Sequence, residues 1–451
     1  MPRVSVGTIG LALPFVAAVI AAKLPLRDNS YLWHVRAGTL QSELGAALTV
    51  DPFSFTAQGQ AWRTQSWLAD LLYGWLDQRW GLEAVMPLVL TGSLLLMGCV
   101  GLRLYRWLGD ALPTAIAVVW VMWLVIGYFT PRPVLISLAL LALFLVMADD
   151  RRLRWALPLV VWLWASVHGG FIVGLGYLVL DGLRRRDRSR LIDLAAATGV
   201  SFLSAHGWGT WEVVLAFLGS GDVLDLIVEW RTPDLISFQL APFAIAIAAL
   251  IIGAIRQKVH STDLWVVLPF LLFAFTANRA VPIAALVLAP WFAAILVPAS
   301  RPSVPDRAVP RGSPVQNYLN LALIGAVLIL PWVVPIEGGV VEERFARQAI
   351  RHLSSQATFH DDAVGGYLIY AEWPERRVFI DDRAELYGEL YSDFVNARGG
   401  RPVWRSLFHD YKLEQALLKL DDPLYQILTA EGWRETYRDE VFVVLVDRSA
   451  N

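Results

Sequence analysis

The residues best suited to chemistry lie in a polar segment between Arg27 and Ser66, directly after the first apolar stretch of the chain. The segment carries Asp28 at its start, then His34, and a further carboxylate at Asp51. Ionisable groups at a bilayer boundary are costly and more often mark function than packing. A carboxylate there suits a general base, which removes a proton from a reacting group. We therefore predict catalytic roles for Asp28, His34 and Asp51.

The composition indicates a membrane protein. Of the 451 residues, 56% are hydrophobic and 17% charged, and the mean hydropathy is +0.50. Ordinary soluble domains carry about 25% charged residues. Several apolar runs have the length of roughly 17–22 residues that one bilayer crossing requires. The sequence therefore predicts an α-helical polytopic membrane protein.

Arginine clusters between the apolar runs predict the topology, because short loops rich in Lys and Arg stay in the cytoplasm. With the N-terminus in the cytoplasm, every such loop falls on one side if the chain crosses about eleven times. The predicted spans are 6–26, 82–102, 111–130, 133–149, 154–167, 170–183, 190–206, 238–255, 262–277, 280–298 and 316–334. One point stays open: His168-Gly169-Gly170 is either a turn between two short helices or part of one long kinked helix, which would reverse the later topology.

The apolar segment 62–80 is the exception among these runs. Its apolar residues form a helical stripe, and Arg63, Asp70, Asp77 and Arg79 lie off that stripe. Such a pattern is typical of a helix that lies in the membrane interface. We predict an interfacial helix at 62–80, next to an external loop at 27–66.

The last part of the chain differs from the rest. From Pro335 onward, 14 basic residues face 21 acidic ones, whereas upstream 24 basic residues face 19 acidic ones. The predicted domains are therefore a transmembrane domain at 1–334 and a soluble α/β domain at 335–451. In the latter we expect a helix at Glu342–Leu353 and strands at Tyr367–Tyr370, Arg377–Ile380 and Val441–Val446.

Other polar residues collect on the predicted external face. They are Arg132, His168, Glu229, Arg231 and Arg279. Some of them also have a structural interpretation: His168 beside glycine would cap a helix, and Glu229 and Arg231 would form a local ion pair. Arg36 and Arg63, in the external loop, would reach lipid headgroups. In the same way, Asp51-Pro52 is a common turn starter. Asp382 and Arg383 would bind a ligand at a strand end or form a buried ion pair.

Several motifs together resemble one family. Asp28–Gly38 and Asp51–Trp62 match D-x-D-x-x-W-H-x-x-x-G and DPFSFT-x-x-G-x-x-W. Further matches are WASVHGGF (Trp164–Phe171), VEWRTPDL (Val228–Leu235), GGYLIY (Gly365–Tyr370) and FIDDRAELYG (Phe379–Gly388). They are similar to a set of bacterial membrane proteins within the GT-C superfamily of polytopic glycosyltransferases.

The resemblance implies a sugar donor on polyprenyl phosphate and an inverting transfer on the external face to a glycan, lipid or protein acceptor. Asp28 would be the base, and Arg132, His168, Arg231 and Arg279 would bind the donor phosphate. Trp33, Glu229, Asp382 and Arg383 would contact substrate. The second acid of the motif is Ser30 here, so the metal is unknown: Mg²⁺ or Mn²⁺ is one option and a metal-independent enzyme the other.

Two other classes of protein stay open. The serine at position 30 favours a non-catalytic membrane subunit that binds a partner or glycan, and a transporter or lipid flippase is the second alternative. Charges at span ends rather than within spans argue against transport. We expect an integral protein of the bacterial cytoplasmic membrane, surrounded by membrane lipids, with an external C-terminal domain and no nucleic-acid partner.

Overall fold

The computed structural model describes residues 6–23, 28–219, 228–256, 258–297 and 346–448. They divide into two compact units. The helical unit comprises residues 6–23, 83–210, 228–256 and 258–297, and the mixed unit comprises 28–82, 211–219 and 346–448. The predicted boundary at 334/335 thus differs from this division, since residues 28–82 group with the C-terminal part.

Helices predominate among the described residues up to 297. They are α1 (Val6–Lys23), α2 (Asn29–Leu44), α3 (Trp67–Trp80), α4 (Val85–Leu108), α5 (Ala111–Val125), α6 (Pro133–Asp149), α7 (Leu157–Val167), α8 (Phe171–Arg185), α9 (Arg190–Ser201), α10 (Trp208–Gly219), α11 (Ala241–Ile255), α12 (Leu264–Ala274) and α13 (Ala280–Ile295). A helix lies in each predicted span before residue 298, and α10 was not predicted. Since α7 and α8 are separate helices, 168–170 is a turn between them.

Two helical stretches in the described part are long and apolar enough to cross a membrane, Leu82–Leu108 and Ala111–Tyr128. Five further apolar helices have 10–17 residues. Proline at the start of α6, α7 and α11 sets where these helices begin, because it favours the first helical turn. The figure of about eleven crossings stays a prediction, and the span at 316–334 lies outside the described residues.

Buried ion pairs tie the helical unit together. Arg103 Nε lies 2.8 Å from Asp149 Oδ2. Asp181 is fully buried and pairs with Arg184 at 2.6 Å and with Arg190 at 2.8 Å. Removing one member of such a pair leaves an uncompensated charge, which is strongly destabilising. Arginines from the predicted cytoplasmic loops therefore also have a packing role.

In the mixed unit, α2 and α3 cross at unusually short range. A Cβ on Gly38 would lie 1.7 Å from Asp70 O, and one on Gly74 would lie 2.6 Å from Thr39 N. Only glycine permits such backbone contact. The predicted external loop thus contains the helix α2, and this crossing places its buried face against α3.

The interfacial helix is confirmed as a helix, although it begins at Trp67 rather than at residue 62. Its apolar stripe is half-buried or exposed, with Trp75 and Trp80 at 47% and 65% exposure. On the opposite side of α3, which carries the charged residues, Asp70 is fully buried against α2, and this burial was not predicted. The location of α3 in a membrane interface stays a prediction.

Residues 346–448 form an α/β arrangement, as predicted. Its strands are β1 (Thr358–His360), β2 (Gln415–Lys419), β3 (Arg434–Arg438) and β4 (Phe442–Val446), in the sheet order β1-β2-β4-β3. The pair β1–β2 is parallel, with Phe359 opposite Ala416, and the other pairs are antiparallel. The helices are α14 (Arg347–Ile350), α15 (Asp362–Glu372), α16 (Ala384–Tyr387), α17 (Glu389–Arg398), α18 (Trp404–Asp410) and α19 (Pro423–Ala430).

Three predictions for this region need correction. Tyr367–Tyr370 is not a strand but lies in α15, which Asp361 caps by accepting the Ala363 N–H. Arg377–Ile380 is not a strand: its only β contact among the described residues is an isolated parallel bridge between Val378 and Ser54. Of the predicted helix Glu342–Leu353, residues 342–345 lie outside the described residues, and the remainder contains only the single turn α14. The strand at Val441–Val446 is confirmed as β4.

Candidate active site

The N-terminus of α2 carries the predicted base. Asp28 is the N-cap residue, and its Oδ1 accepts the Ser30 N–H at 3.0 Å. The first helical turn also holds Asp382, because Trp33 Nε1 donates to Asp382 Oδ1 at 2.8 Å and Ser30 Oγ donates to Asp382 Oδ2. A helix N-terminus stabilises negative charge through its free N–H groups and its dipole. Two carboxylates therefore meet at this turn, and both Asp28 and Asp382 are half-buried.

His34 lies one turn further along α2 in a buried polar network. Its Nδ1 donates to Asp70 Oδ1 at 2.6 Å. Asp70 also accepts from Thr64 Oγ1 at 2.5 Å and from Ser66 Oγ at 3.0 Å. A carboxylate on Nδ1 fixes the ring and its tautomer, as it does in a Ser-His-Asp triad. Asp70 was not predicted as a partner of His34. The available signal was its place on the polar side of an otherwise apolar helix.

Asp51 is the predicted catalytic residue that the structure assigns to packing. It is buried, its carboxylate accepts the Ser54 N–H at 3.0 Å, and Arg383 Nη1 donates to it at 2.8 Å. These contacts fit the turn-forming interpretation. We therefore leave Asp51 out of the proposed catalytic groups.

Arg383 likewise forms the buried ion pair that was the alternative to ligand binding. Its Nε and Nη2 donate to the two oxygens of Asp381 at 2.7 and 2.6 Å. Its guanidinium lies 4.4 Å from the centroid of the Trp62 ring and 5.7 Å from that of Trp33. Trp33 and Trp62 are both buried. Trp33 therefore contacts protein groups, among them Asp382, and its contact with a substrate stays a prediction.

In the helical unit, His168 and Arg279 line one cavity of about 30 Å³. Tyr128, Ser137 and Trp164 line it as well. A cavity of this size admits about two water molecules. His168 Nδ1 accepts the Gly170 N–H at 2.9 Å, so a neutral His168 carries its proton on Nε2. A lipid phosphate would thus have to bind at the mouth of this cavity or move its side chains.

The segment around Glu229 is fixed beside that cavity. Arg132 Nη1 pairs with Glu229 Oε1 at 3.0 Å, and the Arg279 N–H donates to Glu229 O at 3.0 Å. The Arg279 guanidinium lies 4.6 Å from the centre of the Trp230 ring. Arg231 is exposed, and its carbonyl accepts the Asn278 N–H at 2.9 Å. The four predicted donor-phosphate residues therefore lie on four stretches of the helical unit that contact one another or line the same cavity.

The predicted site residues thus form two groups. The mixed unit brings together Asp28, Trp33, His34 and Asp382, and the helical unit brings together Arg132, His168, Glu229 and Arg279. In the described ranges, no group of three or more His, Cys, Asp and Glu residues could hold a metal ion.

Comparison with known proteins identifies the fold. No protein-family model matches the chain, and no curated protein sequence matches it. Among solved structures, one similar protein is the archaeal oligosaccharyltransferase AglB from Archaeoglobus fulgidus, in complex with an inhibitory peptide and a dolichol-phosphate. It aligns with a TM-score of 0.53 and 11% sequence identity, and the alignment covers 91% of this chain and 69% of AglB. ArnT from Cupriavidus metallidurans bound to undecaprenyl phosphate aligns with a TM-score of 0.50 and 15% identity over 97% of both chains.

ArnT in its apo state aligns with a TM-score of 0.52 and 15% identity over 98% of both chains. The chain shares the fold of these AglB and ArnT structures. The predicted helical membrane-protein architecture with a C-terminal α/β part agrees with this similarity, which at these identities concerns the fold alone. Because a fold does not determine a function, the function has to be argued from the residues of the site.

Proposed function

We propose that the chain is a membrane glycosyltransferase that moves a sugar from a polyprenyl-phosphate donor to an extracytoplasmic acceptor. The observation that carries this proposal is the fold shared with AglB and ArnT, whose structures hold dolichol-phosphate and undecaprenyl phosphate. Candidate groups for a base and for an anionic leaving group are both present. The fold alone would not suffice, because related folds serve different chemistries.

Asp28 is the proposed base. The acceptor O–H or N–H loses its proton to the Asp28 carboxylate while the acceptor atom bonds to the anomeric carbon. The bond from that carbon to the phosphate oxygen breaks on the opposite face, its electron pair stays with the polyprenyl phosphate, and the configuration inverts. The position of Asp28 as the N-cap of α2 fixes this carboxylate at the end of a rigid element.

The leaving phosphate gains negative charge in this step. The proposed stabilising groups are His168 and Arg279, which line the helical unit's cavity, together with Arg132 and Arg231. Arg132 pairs with Glu229, whose carbonyl accepts the Arg279 N–H. Arginine suits phosphate because its planar fork donates two hydrogen bonds at once. Pre-positioned donors of this kind commonly contribute about 3–4 kcal/mol each to transition-state stabilisation.

His34 is proposed to act from the second turn of α2. Its bond to Asp70 orients the ring, so the residue could shuttle the proton that Asp28 receives. Since the whole network is buried, its first effect is to fix the shape of the turn that holds Asp28. We place the protein in the bacterial cytoplasmic membrane, with the N-terminus inside and the C-terminal part outside. No feature of the site favours a transporter.

The test is turnover of radiolabelled undecaprenyl-phosphate sugars by the purified full chain, with solubilised bacterial envelope material as acceptor and with or without a chelator. Asp28→Asn keeps the size of the side chain and removes the base, so we expect a loss of about 10²–10⁴-fold. Glu43→Gln is the matched control, because Glu43 is an exposed acid at the other end of the same helix. No turnover by folded wild-type protein with any donor would contradict the proposal and support a binding subunit.

A further inference from the structure

Ser30 stands where the matched motif has its second acid, and the structure places another carboxylate against it. The Ser30 hydroxyl donates to Asp382 Oδ2, and Trp33 Nε1 donates to Asp382 Oδ1 at 2.8 Å. Positions three apart lie on one face of a helix. Both oxygens of Asp382 are therefore held by the first turn of α2.

Close backbone contacts explain how a residue from the C-terminal part reaches this turn. A Cβ on Gly365 would lie 2.0 Å from Ile380 O, and one on Gly366 would lie 2.6 Å from Asn29 O. Helix α15 therefore touches both the segment before Asp382 and the first residue of α2. Larger residues at either glycine would separate these elements.

The neighbouring acid, Asp381, has a different role. It is buried, is paired with Arg383 and accepts the Tyr387 hydroxyl at 2.6 Å. Asp382, one residue on, is half-buried and turned to α2. Asp381 is thus neutralised in an internal ion pair, whereas Asp382 is bonded to the helix turn that Asp28 caps.

We propose that Asp382 supplies the second carboxylate that Ser30 lacks and positions the reacting group of the acceptor for Asp28. This inference rests on the proposed glycosyltransferase function. An ionised carboxylate can accept about four hydrogen bonds, so Asp382 can accept one from an acceptor hydroxyl or amine in addition to those from Ser30 and Trp33.

The serine is part of this arrangement rather than a loss. An aspartate at position 30 would face the Asp382 carboxylate with no proton between them, whereas the serine hydroxyl donates. The non-catalytic alternative was favoured by the missing acid at position 30. If Asp382 takes that place, the missing acid no longer argues for it.

Moving the acid tests the inference. Asp382→Asn should lower turnover by about 10²-fold, because misplacing a reacting group reduces the rate by about that factor. The change should affect kcat and the KM for the acceptor, and it should leave the KM for the undecaprenyl-phosphate sugar unchanged. Ser30→Asp should also lose activity, through repulsion. The double variant Ser30→Asp/Asp382→Ser again has one carboxylate and one hydroxyl, and we expect it to recover to within about 10-fold of wild type.

Thermal unfolding of each variant checks that it folds. If Ser30→Asp does not fold, Ser30→Ala replaces it, and we expect turnover to fall about 10-fold because one hydrogen bond is removed. Turnover by Asp382→Asn at the wild-type rate would overturn this inference alone. So would a double variant no better than either single one at equal stability. Absence of turnover by wild type would instead overturn the proposed function, and this inference with it.

Discussion

Replacing Arg383 by methionine should strongly destabilise the mixed unit. The guanidinium is buried, donates 2.8 Å to Asp51 and holds both oxygens of Asp381 at 2.7 and 2.6 Å. Trp62 and Phe53 lie 4.4 and 5.3 Å from it. Methionine fills much of the same volume without charge, so the variant isolates the electrostatic contribution.

The magnitude follows from what remains after the substitution. Two buried carboxylates, Asp51 and Asp381, lose their shared cation. Breaking a buried ion pair by removing one partner costs about 3–5 kcal/mol. For a unit of this size, one kcal/mol shifts the melting temperature by roughly 2–4 °C, so we expect a decrease of roughly 6–20 °C.

The assay is thermal unfolding of the purified full chain in detergent, followed by tryptophan fluorescence. Arg383→Lys is the matched control: it keeps the charge but cannot bind Asp381 through two parallel hydrogen bonds while also reaching Asp51. Its melting temperature should fall less. A triple variant that also carries Asp51→Asn and Asp381→Asn should be more stable than Arg383→Met alone, because it leaves no uncompensated charge.

The effect should depend on pH in a defined direction. Burial alone would raise the pKa of Asp381, but the attraction of Arg383 outweighs burial and holds that pKa below its ordinary value. The stability from this pair is therefore present above about pH 4, the ordinary pKa of an aspartate, and is lost as the pH falls through the lower folded value. The difference between wild type and Arg383→Met should shrink on acidification. A decrease in melting temperature no larger than that of Arg383→Lys would refute the reasoning.

Two further predictions concern other parts of the molecule. Burial lowers the pKa of His360 to about 4, and its Nε2 accepts the Phe379 N–H at 3.0 Å. The stability from this neutral histidine should therefore be complete above about pH 6.5 and fall as the pH drops toward 4. In pH-dependent melting curves, His360→Gln should weaken this loss of stability, and curves identical to those of wild type would contradict the prediction. Arg279→Lys keeps the charge but loses the planar stacking on Trp230. We expect KM for the undecaprenyl-phosphate sugar to rise about tenfold, whereas the exposed control Arg256→Lys should leave it unchanged.

Much of the helical architecture could be predicted, because long apolar runs and arginine clusters are local signals. Every described predicted span contains a helix, from α1 to α13. The interfacial stripe also produced a helix, α3, with its tryptophans exposed. Those local signals could not predict that Asp70 is buried on the inner side of α3, because its burial depends on the close contact between Gly38 of α2 and α3.

The C-terminal part was predicted less well, for a physical reason. Tyr367–Tyr370 is a short apolar run, and periodicity cannot distinguish a short buried helix from a strand. The preceding Asp361-Asp362 was the missed signal, because Asp361 caps α15. The opposite error did not occur at β4, where a run of β-branched residues follows a turn.

The candidate site shows the same limit at longer range. Asp28 could be found from its position beside an apolar run, and the D-x-D pattern directed attention to position 30. A sequence pattern can show only that an acid is absent there. The structure shows that the Ser30 hydroxyl instead holds Asp382, which is 352 positions away in the chain. Recognition of such a replacement requires the glycines that bring α15 against Asn29, and neither glycine signals its partner in the sequence. A missing motif residue is therefore weak evidence for lost activity until the space around it has been searched for a substitute.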